Sequence, residues 1–275
     1  MASTPNITLH TGTTIPQFGL GVFQVPADDT AAVVWTALEA GYRHIDTAQM
    51  YGNEREVGEG IARSGVPRED VFVTTKLANE RHGHDSAIAA LDESLDRLGT
   101  DYVDLYLIHW PWPRQDHYVE TWQAFEELAK DGKARAIGVS NFQPEHLDRL
   151  AENSDTVPVV NQIELHPALQ QAPLRDYHAR HGIATEAWSP IAQGRVLDET
   201  VVTDVAQRHG RSPAQVVLRW QTQLGNIVFP KSATPSRIAE NIDIFDFALS
   251  DEEMAAIATL DSDTRTGPDP DTFPG

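Results

Sequence analysis

Four residues of this chain have the types and the spacing for acid–base chemistry: Asp46, Tyr51, Lys76 and His109. Three of them close apolar, strand-like runs, Tyr42 to Asp46, Val71 to Lys76 and Val103 to His109. Tyr51 stands on the loop five residues past Asp46. Neighbouring strand ends lie about 5 Å apart, so groups borne there can converge. A buried ammonium needs an anion, and Asp46 can supply it. Lys76 in turn favours ionisation of a nearby phenol, so the pKa of Tyr51 is expected below its ordinary value of roughly 10. A tyrosine tuned in that way is a usable general acid near neutral pH. His109 can hydrogen-bond the oxygen that receives the proton. No nucleophile accompanies the set, because the chain has no cysteine and no serine is paired with this histidine. Taken singly, each residue has a plainer reading, a solvated rim lysine or histidine and a loop-capping aspartate. Their coincidence at consecutive strand ends points instead to polarising and protonating a carbonyl.

The elements that must position these groups are legible as an alternation. Strand candidates are Phe18–Gly21, Tyr42–Asp46, Val71–Lys76, Val103–His109, Ala134–Ser140, Val159–Glu164, Ala184–Trp188 and Ile227–Pro230. Helix-period segments fall between them. Ile88, Leu91, Leu95 and Leu98 line one helix face, and Val119, Trp122, Phe125 and Leu128 line another. Asn53 is the expected N-cap of a helix whose first turn holds Glu54 and Glu56, and Ser212-Pro213 with Gln215 opens a further helix. Eight alternating units closing on themselves predict a single-domain α/β fold over residues 1–275, a (β/α)8 barrel, with chemistry at the C-terminal strand ends. Residues 7–16 read as a hairpin plug or lid outside the barrel. An extra helix is expected around Asp251–Thr259. The tail SDTRTGPDPDTFPG is too rich in proline, glycine and aspartate to be regular. It is either disordered or laid across the barrel mouth. Trp35, Trp122 and Trp220 fall at helical spacing and are expected in the core.

Composition narrows the partners. The 275 residues are 40% hydrophobic, and 41 acids against 21 bases give a formal net charge of −20. Such a surface disfavours nucleic acid and anionic membranes. The absence of cysteine accords with a cytoplasmic protein. The start MASTPNITLH has neither a basic region nor an apolar run, so no signal peptide is expected, and no stretch approaches the roughly 18 apolar residues of a membrane span. His82-Gly83-His84 has no third ligand in register and reads as a solvated loop; with Glu164 and His166 read as structural, no metal is expected.

An anionic ligand on so acidic a chain needs local cations. No G-x-G-x-x-G or P-loop is present, but Lys231, Ser232, Ser236 and Arg237 cluster after the eighth strand, where a helix opens at Thr234-Pro235. Barrels commonly hold phosphate there. A plain basic loop is the alternative reading.

The chain also resembles the aldo-keto reductases. GYRHIDTAQMYGNEREVG, VDLYLIHWP and VFPKSATPSRIAENIDIFDF match the signatures of that family, nearest to its bacterial 2,5-diketo-gluconate reductases. The resemblance implies NADPH/NADP+ as cofactor and a catalytic tetrad of Asp46, Tyr51, Lys76 and His109, with Tyr51 as proton donor. It places Lys231, Ser232 and Arg237 around the 2′-phosphate and Glu240 and Asn241 near the adenine. Ser140, Asn141 and Gln162 fall on the nicotinamide carboxamide, and Trp188 stacks on the ring. Gly21 and the loop of Ser189, Pro190, Ile191, Gln193 and Gly194 also fall on the cofactor, that loop over the pyrophosphate. Phe23, Ala78, Trp110 and Trp112 fall on the substrate pocket. Ala78 stands where most relatives carry tryptophan, which implies a wider pocket unless something fills the gap. The implied activity is reduction of an aldehyde or ketone, dicarbonyls and keto-sugars such as 2,5-diketo-gluconate included, by a cytoplasmic, monomeric protein. The alternative is a cofactor-binding regulator like the potassium-channel β-subunits, which share the fold.

Overall fold

In the computed structural model of the chain, residues 4–273 are described. The first three residues of the expected leaderless start and the last two of the tail lie outside them. Two short strands, β1 (Asn6–Thr8) and β2 (Thr14–Pro16), pair antiparallel with Ile7 opposite Ile15. The strands that follow are β3 (Leu20–Gly21), β4 (His44–Asp46), β5 (Phe72–Leu77), β6 (Leu105–Ile108), β7 (Ile137–Ser140), β8 (Val160–Glu164), β9 (Ala184–Trp188) and β10 (Ile227–Val228). They form one eight-stranded parallel sheet in chain order. The sheet closes on itself through a parallel bridge between Phe18 and Val228. Gly19 N–H donates to the Val228 carbonyl at 2.9 Å, and Val228 N–H to the Gln17 carbonyl at 3.0 Å. This is the expected (β/α)8 barrel. Its regular strands are mostly shorter than the sequence runs, because the ends of those runs bend into loops.

The helices are α1 (Ala27–Glu39), α2 (Glu54–Ser64), α3 (His84–Leu98), α4 (Tyr118–Lys130), α5 (Pro144–Asn153), α6 (Ala172–His181), α7 (Thr200–His209), α8 (Pro213–Gln223), α9 (Pro235–Ile242) and α10 (Asp251–Ala258). Ser212 and Gln215 close a reciprocal capping box on α8, as their spacing predicts, and Ser250 and Glu253 do the same on α10. Asn53 precedes α2 but does not cap it. Its amide instead donates to the Val22 carbonyl at 3.0 Å and accepts from Thr47 Oγ1 at 3.0 Å, fastening two loops at the barrel mouth. The sequence alternation missed α7, which sits with α8 in one connection. Trp122 and Trp220 are buried as expected, whereas Trp35 is 41% exposed on α1.

Apolar side chains segregate into two layers. Alternate strand residues Ile45, Val73, Tyr106, Ile108, Val139 and Ala187 point out into the helix layer. The opposite set, Leu105, Leu107, Ala136, Val160, Ile227 and Phe229, fills the lower barrel. Leu9 and Ile15 of the hairpin join that second cluster, so the hairpin plugs the floor. Above this apolar fill, the same inward positions turn polar, and the site begins.

Candidate active site

The register of the strands fixes what meets what. Asp46 on β4 lies beside Gly21 and Thr74, Lys76 on β5 beside Leu107, and Gln162 on β8 beside both Ser140 and Glu186. Lys76 is fully buried, and its ammonium donates to Asp46 Oδ1 at 2.7 Å, to the Thr47 carbonyl at 2.9 Å and to the Tyr51 phenol at 3.4 Å. The edge of the His109 imidazole faces the Tyr51 ring, with centroids 5.7 Å apart. The four residues singled out at the strand ends therefore gather in one place.

Their electrostatics differ from expectation at one point. Burial pushes the Tyr51 phenol above its ordinary pKa of 10.0; Lys76 pulls it down, Asp46 pushes it up, and the net shift is upward. The expected depression is not met, because desolvation of a phenolate outweighs one ammonium that Asp46 already partly neutralises. Burial also works against the charge on Lys76, but Asp46 foremost outweighs it, and the net shift holds the ammonium above its ordinary value. His109 is held well below 6.5 by burial and by Lys76 and His82, so its ring is neutral, and its Nδ1 is buried without a hydrogen-bond partner. At neutral pH the site presents a protonated phenol, a charged lysine and a neutral imidazole.

Around this centre lies a layer of amides. Gln162 Nε2 donates to Asp46 Oδ2 and to Glu186 Oε2, both at 2.9 Å. Asn141 adopts a left-handed backbone at φ 63°, a region asparagine tolerates. Its side chain donates to the His109 carbonyl at 3.0 Å and accepts from the Trp188 indole N–H at 2.8 Å. Ser140 Oγ donates to the Gln162 carbonyl at 2.9 Å. Ser140, Asn141, Gln162 and Trp188 thus form one polar wall beside the tetrad.

The loop after β9 carries Ser189, Pro190, Ile191, Gln193 and Gly194. Ser189, Ala192 and Gln193 have φ of 50°, 49° and 56°. Non-glycine residues in this region cost of order 1–3 kcal/mol each and cluster at ligand clamps. Farther round, Lys231 and Arg237 are exposed at the start of α9, with no acidic ion-pair partner among the described residues. The α9 N-terminus has no side-chain cap, while Ser232 Oγ accepts from Thr234 N–H at 3.1 Å. Asn241 and the exposed Glu240 lie on the same helix. This corner offers free cations and uncapped N–H groups to a phosphate. At Gly21, an added Cβ would lie 3.2 Å from the Phe229 carbonyl, so that strand end admits little but glycine.

The tail is ordered across the mouth, one of the two alternatives open from sequence. Thr266 N–H and Gly267 N–H donate to the buried Glu164 carboxylate at 2.5 and 3.2 Å, and His166 Nε2 bonds the same carboxylate at 3.0 Å. A Cβ on Gly267 would lie 2.4 Å from Trp188 Cη2, so the strap presses on the indole. Phe273 stacks on Trp110 with centroids 4.2 Å apart. Ala78 is buried, and its N–H donates to Gln49 Oε1 at 3.2 Å. Phe23 is exposed and packs on Tyr51 at 5.0 Å between centroids. His82 departs from a solvated-loop reading: it packs on Trp112 at 6.2 Å, and burial lowers it to about 4.

Sequence reasoning missed Glu186 and the Glu164 clasp. The signal for Glu186 lies two residues before Trp188 in one strand, hence on the same inward face.

The family profile described as aldo/keto reductase matches residues 15–262. An aldo-keto reductase of Mycolicibacterium smegmatis is 58% identical over 269 residues, covering 98% of each chain. The glyoxal reductase of Bacillus subtilis is 52% identical over 266 residues, covering 96% of each. The solved structure of a mutant of Gox0644 in complex with NADPH superposes with a TM-score of 0.96 at 49% identity, covering 99% of each chain. Barrel, site and sequence agree, and this chain belongs to the aldo/keto reductase family. Among the described residues, no helix is long and apolar enough to cross a membrane.

Proposed function

We propose that this protein reduces the carbonyl group of small aldehydes and ketones to alcohols with NADPH, α-dicarbonyls foremost. The observation that carries the reading is the contact chain from Asp46 through Lys76 to the protonated Tyr51 phenol, with neutral His109 beside it. NADPH supplies the hydride. Tyr51 gives its proton to the carbonyl oxygen. Lys76, charged and anchored on Asp46, stabilises the phenolate left behind, which offsets the burial penalty on that ion. His109, neutral, has a ring N–H to orient the same oxygen.

Four groups of residues would hold the cofactor. Lys231, Ser232 and Arg237 suit a 2′-phosphate, with Glu240 and Asn241 toward the adenine. The strained loop from Ser189 to Gly194 suits the pyrophosphate. Ser140, Asn141 and Gln162 suit the carboxamide. Trp188, fixed by Asn141 and backed by Gly267, gives the ring a flat platform, and Gly21 leaves room at the strand end.

The identity to a glyoxal reductase favours a dicarbonyl; a keto-sugar such as 2,5-diketo-gluconate is the larger candidate of the same kind. Phe23, Ala78, Trp110 and Trp112 surround the substrate in this reading, with Phe273 of the tail as a further wall. Loss of NADPH absorbance with methylglyoxal and with 2,5-diketo-gluconate tests the proposal. No turnover with any carbonyl would sink it and favour a cofactor-binding regulator. We also infer a monomer in the cytoplasm, in keeping with the cysteine-free composition.

A further inference from the structure

Glu186 is fully buried inside the barrel, beside Gln162 of the neighbouring strand. Its Oε2 accepts from Gln162 Nε2 at 2.9 Å, while its Oε1 is buried with no hydrogen-bond partner. Burying a carboxyl with one oxygen unsatisfied destabilises a fold. A costly group kept in such a place points to the site above it. The other donor position of the same Gln162 amide serves Asp46 Oδ2, on the side away from Lys76.

We propose that Glu186 is a positioning residue: with Asp46 it gives the Gln162 amide two acceptors, fixing the orientation that ties Asp46 in place beneath Lys76 and Tyr51. An amide facing a single acceptor can rotate. Turned over, Gln162 would set its own carbonyl oxygen against Asp46, lone pair against lone pair, and loosen the anion that anchors Lys76. With Glu186 in place, each hydrogen of the Gln162 amide has its own acceptor, and turning the amide over gives up both N–H bonds and opposes its carbonyl oxygen to Asp46. The charged groups acting on Glu186 are Asp46 from β4 and Lys76 from β5; Gln162 from β8 is its hydrogen-bonding neighbour, and its β10 neighbour, Ile227, is apolar. Burial, then Asp46, raise its pKa from 4.5 to about 8, so near neutrality it is mainly uncharged and adds no second anion under the lysine.

This inference rests on the reductase reading, and the test separates the two. Glu186→Gln keeps an acceptor for Gln162; Glu186→Leu keeps none. With NADPH and methylglyoxal, Glu186→Leu should lose tenfold or more in kcat, and Glu186→Gln should recover most of that loss. Independently of turnover, the side-chain amide protons of Gln162, assigned by nitrogen-15 NMR through their loss in Gln162→Glu, should exchange slowly with solvent in wild type and Glu186→Gln and quickly in Glu186→Leu. Slow exchange in Glu186→Leu overturns the proposal. So does a wild-type kcat in that variant, or a Glu186→Gln as poor as Glu186→Leu. If wild type itself turns over no carbonyl, the reductase reading fails and the amide exchange still decides the role of Glu186.

Discussion

Tyr51 is one oxygen away from phenylalanine, and that oxygen is the only atom the proposed proton transfer needs from it. Tyr51→Phe should keep NADPH affinity, measured by fluorescence titration, and lower kcat by about a hundredfold or more, the usual scale of general acid catalysis. A near-wild-type kcat would remove Tyr51 from the mechanism. The tetrad was legible in sequence because strand ends are ordered and each member closes a run or follows one. The direction of the Tyr51 shift was not, because it depends on how much water the fold removes and on how far Asp46 neutralises Lys76. Glu186 stood in plain view two residues before Trp188. It was passed over because an acid inside a strand does not announce which layer of the barrel it reaches.

Elements decide how the cofactor is gripped. The uncapped start of α9 brings Arg237 and Lys231 to one corner of a chain with net charge −20. Arg237→Ala should weaken NADPH binding by about 1.5–3 kcal/mol, the scale of charge-assisted hydrogen bonds, and leave NADH nearly untouched. Equal weakening of both would place the 2′-phosphate elsewhere. The tail is the second element of the proposed grip, through its contact with Trp188. Gly267→Ala drives a methyl against Trp188 Cη2, and the indole is held at its other end by Asn141. Overpacking of this kind costs about 1–3 kcal/mol. The ring or the strap must shift, so the expected result is a several-fold rise in the Kd for NADPH together with a lower Tm. An unchanged Kd would mean that Trp188 is not the platform. Sequence could not decide the tail's course, since prolines and glycines say that a segment is irregular and not where it lies; the decisive partner, Glu164, is about a hundred residues away. The helix α7 escaped notice for a different reason. Its apolar residues Val202, Val205 and Ala206 cover one side of a short helix inside a connection that already had a helix to account for it.

At the scale of the whole molecule, buried histidines and a buried acid pull stability in opposite directions with pH. His44, inside the barrel, bonds the Pro16 carbonyl and Thr74 Oγ1; His178, on α6, bonds Asn161 Nδ2 and Thr185 Oγ1. The Asn161 amide donates, so His178 Nε2 must accept and the ring must be neutral. Burial lowers both histidines from 6.5 to about 3. A group that binds its proton more weakly when folded leaves stability intact above 6.5 and erodes it as pH falls below that value. At pH 5.5 the loss is on the order of 1 kcal/mol for each histidine. Glu186 runs the other way. Its folded pKa is raised, so its burial weakens the fold as pH climbs from 4.5 toward 8 and relieves it on acidification. Between pH 7.5 and 5.5 that relief is on the order of 2 kcal/mol, comparable with the loss from the two histidines. Urea unfolding at the two pH values should therefore separate the variants. Glu186→Gln should lose on the order of 2 kcal/mol more than wild type on going from 7.5 to 5.5, because the masking group no longer titrates. His178→Gln keeps one donor and one acceptor for Thr185 and Asn161 and should lose on the order of 1 kcal/mol less than wild type. Identical pH dependence in all three proteins would mean that neither buried group titrates as its surroundings demand.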